Sequence, residues 1–512
     1  MARIAVDHAE TIRGPDRVMR AFALAALGIL VVRIMGLMIS PLGLHPDEAQ
    51  YWAWSRTFDW GYFSKPPLVA WTIGVVTAVF GNDPWAVRLA APFAHTGAAF
   101  ALFALGRRMY GDAAGVAAGL GWLLIPGVWL SSALISTDAL LLPLWALALY
   151  ATWRWSETGA TKWALLAGAA VGLGALAKYA MLYFPLCLTL AALVLPRVRR
   201  VAFTPAGFGA IAIAASIILP NVAWNAANDF ETVQHTAANA DWRGDLFNID
   251  QLGAFLADQF AVAGLFAAGL VWLIVAFARG RRPLDDRAKF LLCFIAPPLI
   301  IIMVQALISR AHGNWAAAAY PAAVVLIAGG FAGTSFLRWS LRAHAALFAL
   351  FLFLVTFPSL AYQAPLIGRG IENGLKRMAG WTDTAAVIEA RVRAGAYDTV
   401  LVDHRHTFFE LAYEWRDRTD LPPVRMWVLR GAPGNHAEAV APMSPAFDGK
   451  LLVVQMSPRY TAFLSRDFKS FVPLEPGEIP LGPRRTRPLG FAEASGFAPT
   501  PRTAEFIADV GD

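Results

Sequence analysis

The chain is short of charge: only 15% of its 512 residues are Asp, Glu, Lys or Arg, where an ordinary soluble domain carries about a quarter. That deficit excludes a soluble enzyme as a description of the whole chain, and the 57% of hydrophobic residues shows what takes the place of charge. Cysteine is scarce as well. The two cysteines, Cys187 and Cys293, both lie inside apolar runs, so neither a disulfide framework nor a thiolate zinc site follows. No glycine-rich loop of the Walker or Rossmann kind occurs, nor His-Glu-x-x-His, nor Gly-x-Ser-x-Gly. No Lys/Arg block is long enough for a nucleic-acid patch, so the net charge of +7 reads as topology and as contact with anionic lipid or phosphate.

What is present is length of apolar run. Segments of about 18–22 residues recur through the first 360 or so positions, enough to cross a hydrocarbon core about 30 Å thick. The expected fold is an α-helical polytopic membrane protein with about 11 spans, near 20–40, 86–106, 114–134, 137–155, 163–178, 181–195, 203–224, 254–277, 289–308, 315–335 and 343–361. Arg107-Arg108, Arg154 and Lys162, Arg197 to Arg200, Arg279 to Arg282, and Arg338 with Arg342 fall in alternate loops. The positive-inside rule assigns those loops to the cytoplasm and the others to the outside. Residues 68–80 are apolar but only 13 long, which predicts an interfacial or re-entrant helix rather than a span. Residues 46–57, rich in Trp and Tyr, suit a second helix at headgroup level. The first apolar run follows about twenty polar residues without a small-residue cleavage site, so it is expected to stay as an anchor.

After Tyr362 the composition turns polar. Thr399-Val400-Leu401-Val402 and Leu451-Leu452-Val453-Val454 read as strands, with a helical pattern through Trp415 between them. A membrane domain over 1–362 and a small soluble α/β domain over 376–512, placed outside the cytoplasm, follow. The last 30 or so residues, with Pro483, Pro488, Pro499 and Pro501, are expected to be irregular.

Charges beside a bilayer mark functional sites by default. The densest such group follows the first span: His45-Pro46-Asp47-Glu48, then Gly61-Tyr62-Phe63-Ser64-Lys65-Pro66-Pro67. Asp47 and Glu48 suit proton transfer, or equally the acidic first turn of a helix. Lys65 suits a phosphate contact or a snorkelling anchor. Asp138, in Ser136-Thr137-Asp138, is a catalytic candidate or an N-cap. Lys178, in an outward hairpin, is a phosphate-contact candidate or a snorkelling anchor. The loop 225–252 carries His235 and Arg243, a guanidinium suited to bidentate phosphate binding. Arg310, His312, Asn314 and Trp315, with Tyr320 just beyond, form a short donor-rich loop between apolar spans. Group transfer without a nucleotide site has to draw on a group already activated on a lipid.

These residues resemble those of the GT-C membrane glycosyltransferases of family 39, which include the bacterial transferases that modify lipid A with aminoarabinose or galacturonic acid. The resemblance rests on the Asp-Glu of the first outward loop and on Tyr-x-x-Lys-Pro-Pro, supported by Thr137-Asp138, Ala177-Lys178, Asn314-Trp315 and Gly380-Trp381. It implies a sugar donor carried on polyprenyl phosphate, and inverting transfer to a glycolipid, glycan or protein acceptor on the periplasmic side of a bacterial inner membrane. It implies that Asp47 is the catalytic acidic residue and that Tyr62, Lys65 and Arg243 contact the lipid phosphate. Ser64 stands where the aminoarabinose enzymes carry an acid, so a divalent metal remains an open expectation and no metal ligand is assigned. A lipid-sugar flippase and a glycan polymerase or ligase are the rival readings, although the hydropathy lacks the inverted halves of a transporter.

Overall fold

The structure, a computed structural model, describes residues 13–238 and 247–503 together with Phe506 and Asp509. It divides into two compact units. One comprises Met1–Ile39 and Lys65–Leu352; the other comprises Ser40–Ser64 and Phe353–Asp512. This division gives the first loop after the N-terminal span, expected within a 1–362 domain, to the C-terminal unit.

Among the described residues five helices are long and apolar enough to cross a membrane: Arg17–Ile39, Pro84–Tyr110, Pro205–Ala227, Asp286–Ile308 and Ser335–Thr356. Two bent pairs raise that number to seven if each pair is one span. The expected span 114–134 breaks by 54° between Asp112–Leu124 and Pro126–Ala133. Ile125, the residue before Pro126, takes an extended conformation with ψ 145°, as the clash of a proline ring with the preceding residue requires. The expected span 254–277 bends by 114° between Ile249–Ala263 and Leu265–Ala278. Gly264 allows this in two ways. Its φ is +58°, and a Cβ there would lie 2.2 Å from His344 Nε2. The Leu265 N–H released by the break donates to that same nitrogen at 3.1 Å. The expected span 315–335 also divides, into a 3-10 turn Gly313–Ala319 and a helix Tyr320–Gly330. Leu68–Phe80 is a helix of 13 residues, with the extent expected of it.

In the other unit a five-stranded sheet runs in the order β2-β1-β3-β5-β4. The strands are β1 (Thr399–Val402), β2 (Val424–Met426), β3 (Leu451–Gln455), β4 (Phe468–Gly482) and β5 (Arg485–Phe497). Strand β1 pairs in parallel with β2 and β3, whereas β5 is antiparallel to both β3 and β4. All residues of β1 and β3 are buried, which is why both read as continuous apolar runs. Of the tail expected to be irregular, Arg485–Phe497 is instead strand β5, whereas residues 498–503, with Pro499 and Pro501, form neither helix nor strand. Pro488 lies beyond Gly490, where the pairing of β5 with β3 ends.

Asp403 closes the far end of the parallel strands. Its carboxylate accepts from Met456 N at 2.9 Å and Ser457 N at 3.3 Å. Burial outweighs those bonds and raises its pKa to about 6. The folded unit therefore holds this proton more tightly than the unfolded chain does. The stability it contributes is complete below about pH 4 and is lost as pH rises through about 6. Thermal melts in detergent should fall between pH 4 and 7 in the parent and vary less in Asp403→Asn; equal pH slopes would remove the assignment.

Candidate active site

Each unit carries its own group of candidate residues. In the second unit, Pro46–Trp54 forms a nine-residue helix with seven residues buried. A proline at its first position and acidic residues in its first turn favour its start. Glu48 is 2% exposed, and its Oε2 accepts from His45 N at 2.8 Å. His45 Nδ1 in turn accepts from Asp47 N at 3.2 Å, so the two ends cap each other. That bond leaves Nδ1 without a proton. The 3.8 Å approach of the same nitrogen to Asp47 Oδ2 is therefore not an ion pair. Expected among the catalytic carboxylates, Glu48 is placed as a cap. Asp47 is more open, with its side chain 43% exposed.

Tyr62 is 2% exposed. Its hydroxyl donates to the Trp54 carbonyl at 2.9 Å and accepts from Asp59 N at 3.2 Å, and its ring stacks on Trp54 at 4.8 Å. Those contacts tie the end of the loop back to the Asp47 helix. Expected as a phosphate contact, it is placed where it shapes the loop. Lys65, half-buried, belongs to the other unit.

In that unit three of the candidates, Asp138, Lys178 and Asn314, come together across long sequence separations. Lys178 Nζ donates to both oxygens of Asp138, at 2.8 and 3.0 Å, and Asn314 Nδ2 donates to Asp138 Oδ2 at 2.9 Å. Asp138 is not the cap of its helix, Thr137–Thr158. Ser136 takes that role by accepting from Ala139 N, which leaves the Asp138 carboxylate for its two partners. Asp138 and Asn314 line a cavity of about 400 Å³ whose wall also holds Ser131, Asp258 and Tyr320. Tyr320 donates to Gln259 Oε1 at 2.8 Å. Gln259 donates in turn to the Phe255 carbonyl and, at 3.4 Å, to that of Gly313.

Gly313 is glycine for a spatial reason: a Cβ there would lie 2.7 Å from that of Asp258. His312 packs edge-on against Trp315 at 5.2 Å. The Arg310 carbonyl accepts from Gln305 Nε2 at 3.3 Å, with the residue itself exposed. His235 lies half-buried on the helix Glu231–Ala238. Arg243 lies outside the described residues. Among the described residues no three His, Cys, Asp or Glu group as metal ligands would.

Sequence reasoning missed Arg405, Gln50 and Asp258. Arg405 Nη2 reaches Asp47 Oδ1 at 3.2 Å, and its Nη1 donates to Gln50 Oε1 at 2.7 Å. A usable signal existed: His404-Arg405-His406 directly follows a buried parallel strand, and open α/β sheets place ligands beyond the carboxyl ends of their strands. Burial above all, then His404 and Arg405, lowers the His406 pKa to about 3. His404 is lowered by burial and by Arg405 and Arg377. Asp258 is an acid in the middle of the helix Ile249–Ala263, a signal in its own right.

Residues 64–224 match the protein-family profile described as dolichyl-phosphate-mannose-protein mannosyltransferase. Over 438 residues the chain is 32% identical to the lipid A galacturonosyltransferase RgtD of Rhizobium johnstonii, covering 85% of this chain and 90% of that protein. Its fold is similar to that of ArnT from Cupriavidus metallidurans in the apo state, at TM-score 0.62 and 17% identity, covering 96% of this chain and 98% of that one. The same protein bound to undecaprenyl phosphate gives TM-score 0.62 at 16% identity, covering 95% and 98%.

Proposed function

The chain belongs to the GT-C family 39 membrane glycosyltransferases, and from that premise we propose that it moves a galacturonosyl group from a polyprenyl phosphate to lipid A on the periplasmic side of the inner membrane. The observation that carries this reading is the cavity of about 400 Å³ lined by Asp138 and Asn314, with Lys178 paired to Asp138, in a chain one-third identical to RgtD over most of both lengths. The cavity wall is mainly apolar, which suits the isoprenoid end of such a donor, and its polar group suits the sugar phosphate.

The chemistry balances without a nucleotide. An acceptor hydroxyl attacks the anomeric carbon, the bond from that carbon to the phosphate oxygen breaks, and its electron pair leaves with the polyprenyl phosphate. Asp47 takes the hydroxyl proton. Lys65 and Arg243 are assigned to the negative charge that grows on the leaving phosphate, which fixed cations stabilise. Lys178, held by Asp138, is assigned to the same phosphate as a further cation. The described residues offer no ligand set for a metal, and no step is routed through one. Membership of a transferase family sets the flippase reading aside.

Purified protein given labelled galacturonosyl polyprenyl phosphate and lipid A should yield a new glycolipid. Recovery of unchanged donor under conditions where RgtD is active would overturn the substrate assignment. Lys65→Ala should raise the KM for donor about tenfold or more, as expected for losing a charged hydrogen bond worth about 1.5–3 kcal/mol. An equal rise for lipid A would contradict a phosphate role.

A further inference from the structure

We propose that Arg405, from the C-terminal unit, is a positioning residue for the active site: it orients the Asp47 carboxylate. This rests on the reading of Asp47 as general base. The geometry that points to it lies wholly within one compact unit, which contains both Ser40–Ser64 and the segment after Phe353.

The Asp47 helix packs on the helix Arg405–Glu414, where the Trp52 ring meets that of Tyr413 edge-on at 5.2 Å. Arg405 is the first residue of its helix, beyond β1, and its guanidinium spans two acceptors. Nη2 takes Asp47 Oδ1 and Nη1 takes Gln50 Oε1. Asp47 and Gln50 are three residues apart, so they share a face of the same helix. A planar fork bound at two points cannot swing about one bond, and it fixes the direction of the carboxylate as a lysine would not. Gln50 is 3% exposed and anchors the far end of that fork.

The two imidazoles beside Arg405, His404 and His406, are both held below the usual range. The positive charge facing Asp47 from this helix is therefore that of the guanidinium. The pair is also open enough for chemistry: the side chains are 37% and 43% exposed. A surface ion pair with such exposure contributes little to stability, about 0–1 kcal/mol, which leaves positioning as its physical consequence.

The test is a double-mutant cycle on the full-length enzyme in detergent, with galacturonosyl polyprenyl phosphate and lipid A both saturating. Arg405→Met should lower kcat by roughly 10²-fold, the scale of a misplaced catalytic group, with little change in either KM. In an Asp47→Asn background the same change should lower the remaining rate by less than about threefold, because residues acting through one another are not additive. Arg405→Lys keeps the charge without the fork and should fall between the two. Added guanidinium, but not ammonium, should restore part of the rate of Arg405→Ala, which also covers the case in which the Met variant folds poorly.

A full 10²-fold effect of Arg405→Met in the Asp47→Asn background would overturn the proposal, as would an unchanged kcat in Arg405→Met. An active Asp47→Asn single variant is a different failure. It would remove the base assignment beneath the proposal, whatever Arg405 does.

Discussion

Asp47→Asn should reduce kcat by about 10²–10⁴-fold, the usual worth of general base assistance, with both KM values nearly unchanged. The substitution is close to isosteric. The amide oxygen can still accept from Arg405, and the backbone bond from Asp47 N to His45 Nδ1 is untouched. The capping box made by Glu48 and His45 also survives, so the helix should keep its start. What disappears is the capacity to take a proton from the attacking hydroxyl. On the barrier this is roughly 3–5 kcal/mol. Single-turnover rates with preloaded donor measure it directly. A folded Asn variant within threefold of the parent would mean that the proton leaves by another route.

The second large effect concerns the pair in the other unit. Asp138 and Lys178 have side chains only 14% and 23% exposed, so each depends on the other for neutralisation. Lys178→Met should destabilise the protein by about 2–4 kcal/mol, somewhat below the full cost of leaving a buried charge unpaired because part of the pair still meets solvent. Asn314 remains as a donor to Asp138 but carries no charge. The double variant Asp138→Asn, Lys178→Met should recover most of that stability, since no charge is then left without its partner. Activity should not recover, because the cation assigned to the donor phosphate is still absent. Melting temperature in detergent and transfer rate, measured on the same preparations, separate the two roles. If the double variant regained activity along with stability, the pair would be a structural bridge only.

Much of the architecture could be read along the chain because the property that sets it is local. The free energy of moving a segment into hydrocarbon is nearly a sum over its own side chains, so a polytopic membrane protein is apparent without any tertiary information. Burial on both faces likewise marks a strand by itself, and β1 and β3 were expected where they occur. The short helix Leu68–Phe80 needed only its length. The misreadings share a cause. Pro488 suggested irregular chain, but tolerance of proline depends on which side of a strand is unpaired. That is a property of the sheet order, not of the strand.

Among the site residues, the sequence by itself determined the chemical types: an acid and a lysine after the first span, and a second acid, lysine and amide farther on. Only the tertiary structure decided who meets whom. Lys178 reaches Asp138 across 40 positions, Asn314 reaches it across 176, and Arg405 reaches Asp47 across 358. Nor could the first loop be assigned to the C-terminal unit from periodicity, since its helix packs on one that begins at residue 405. The reason is physical: hydropathy and propensity are set by near neighbours in the chain, whereas ion pairs and orienting hydrogen bonds form between groups that only folding brings within about 3 Å.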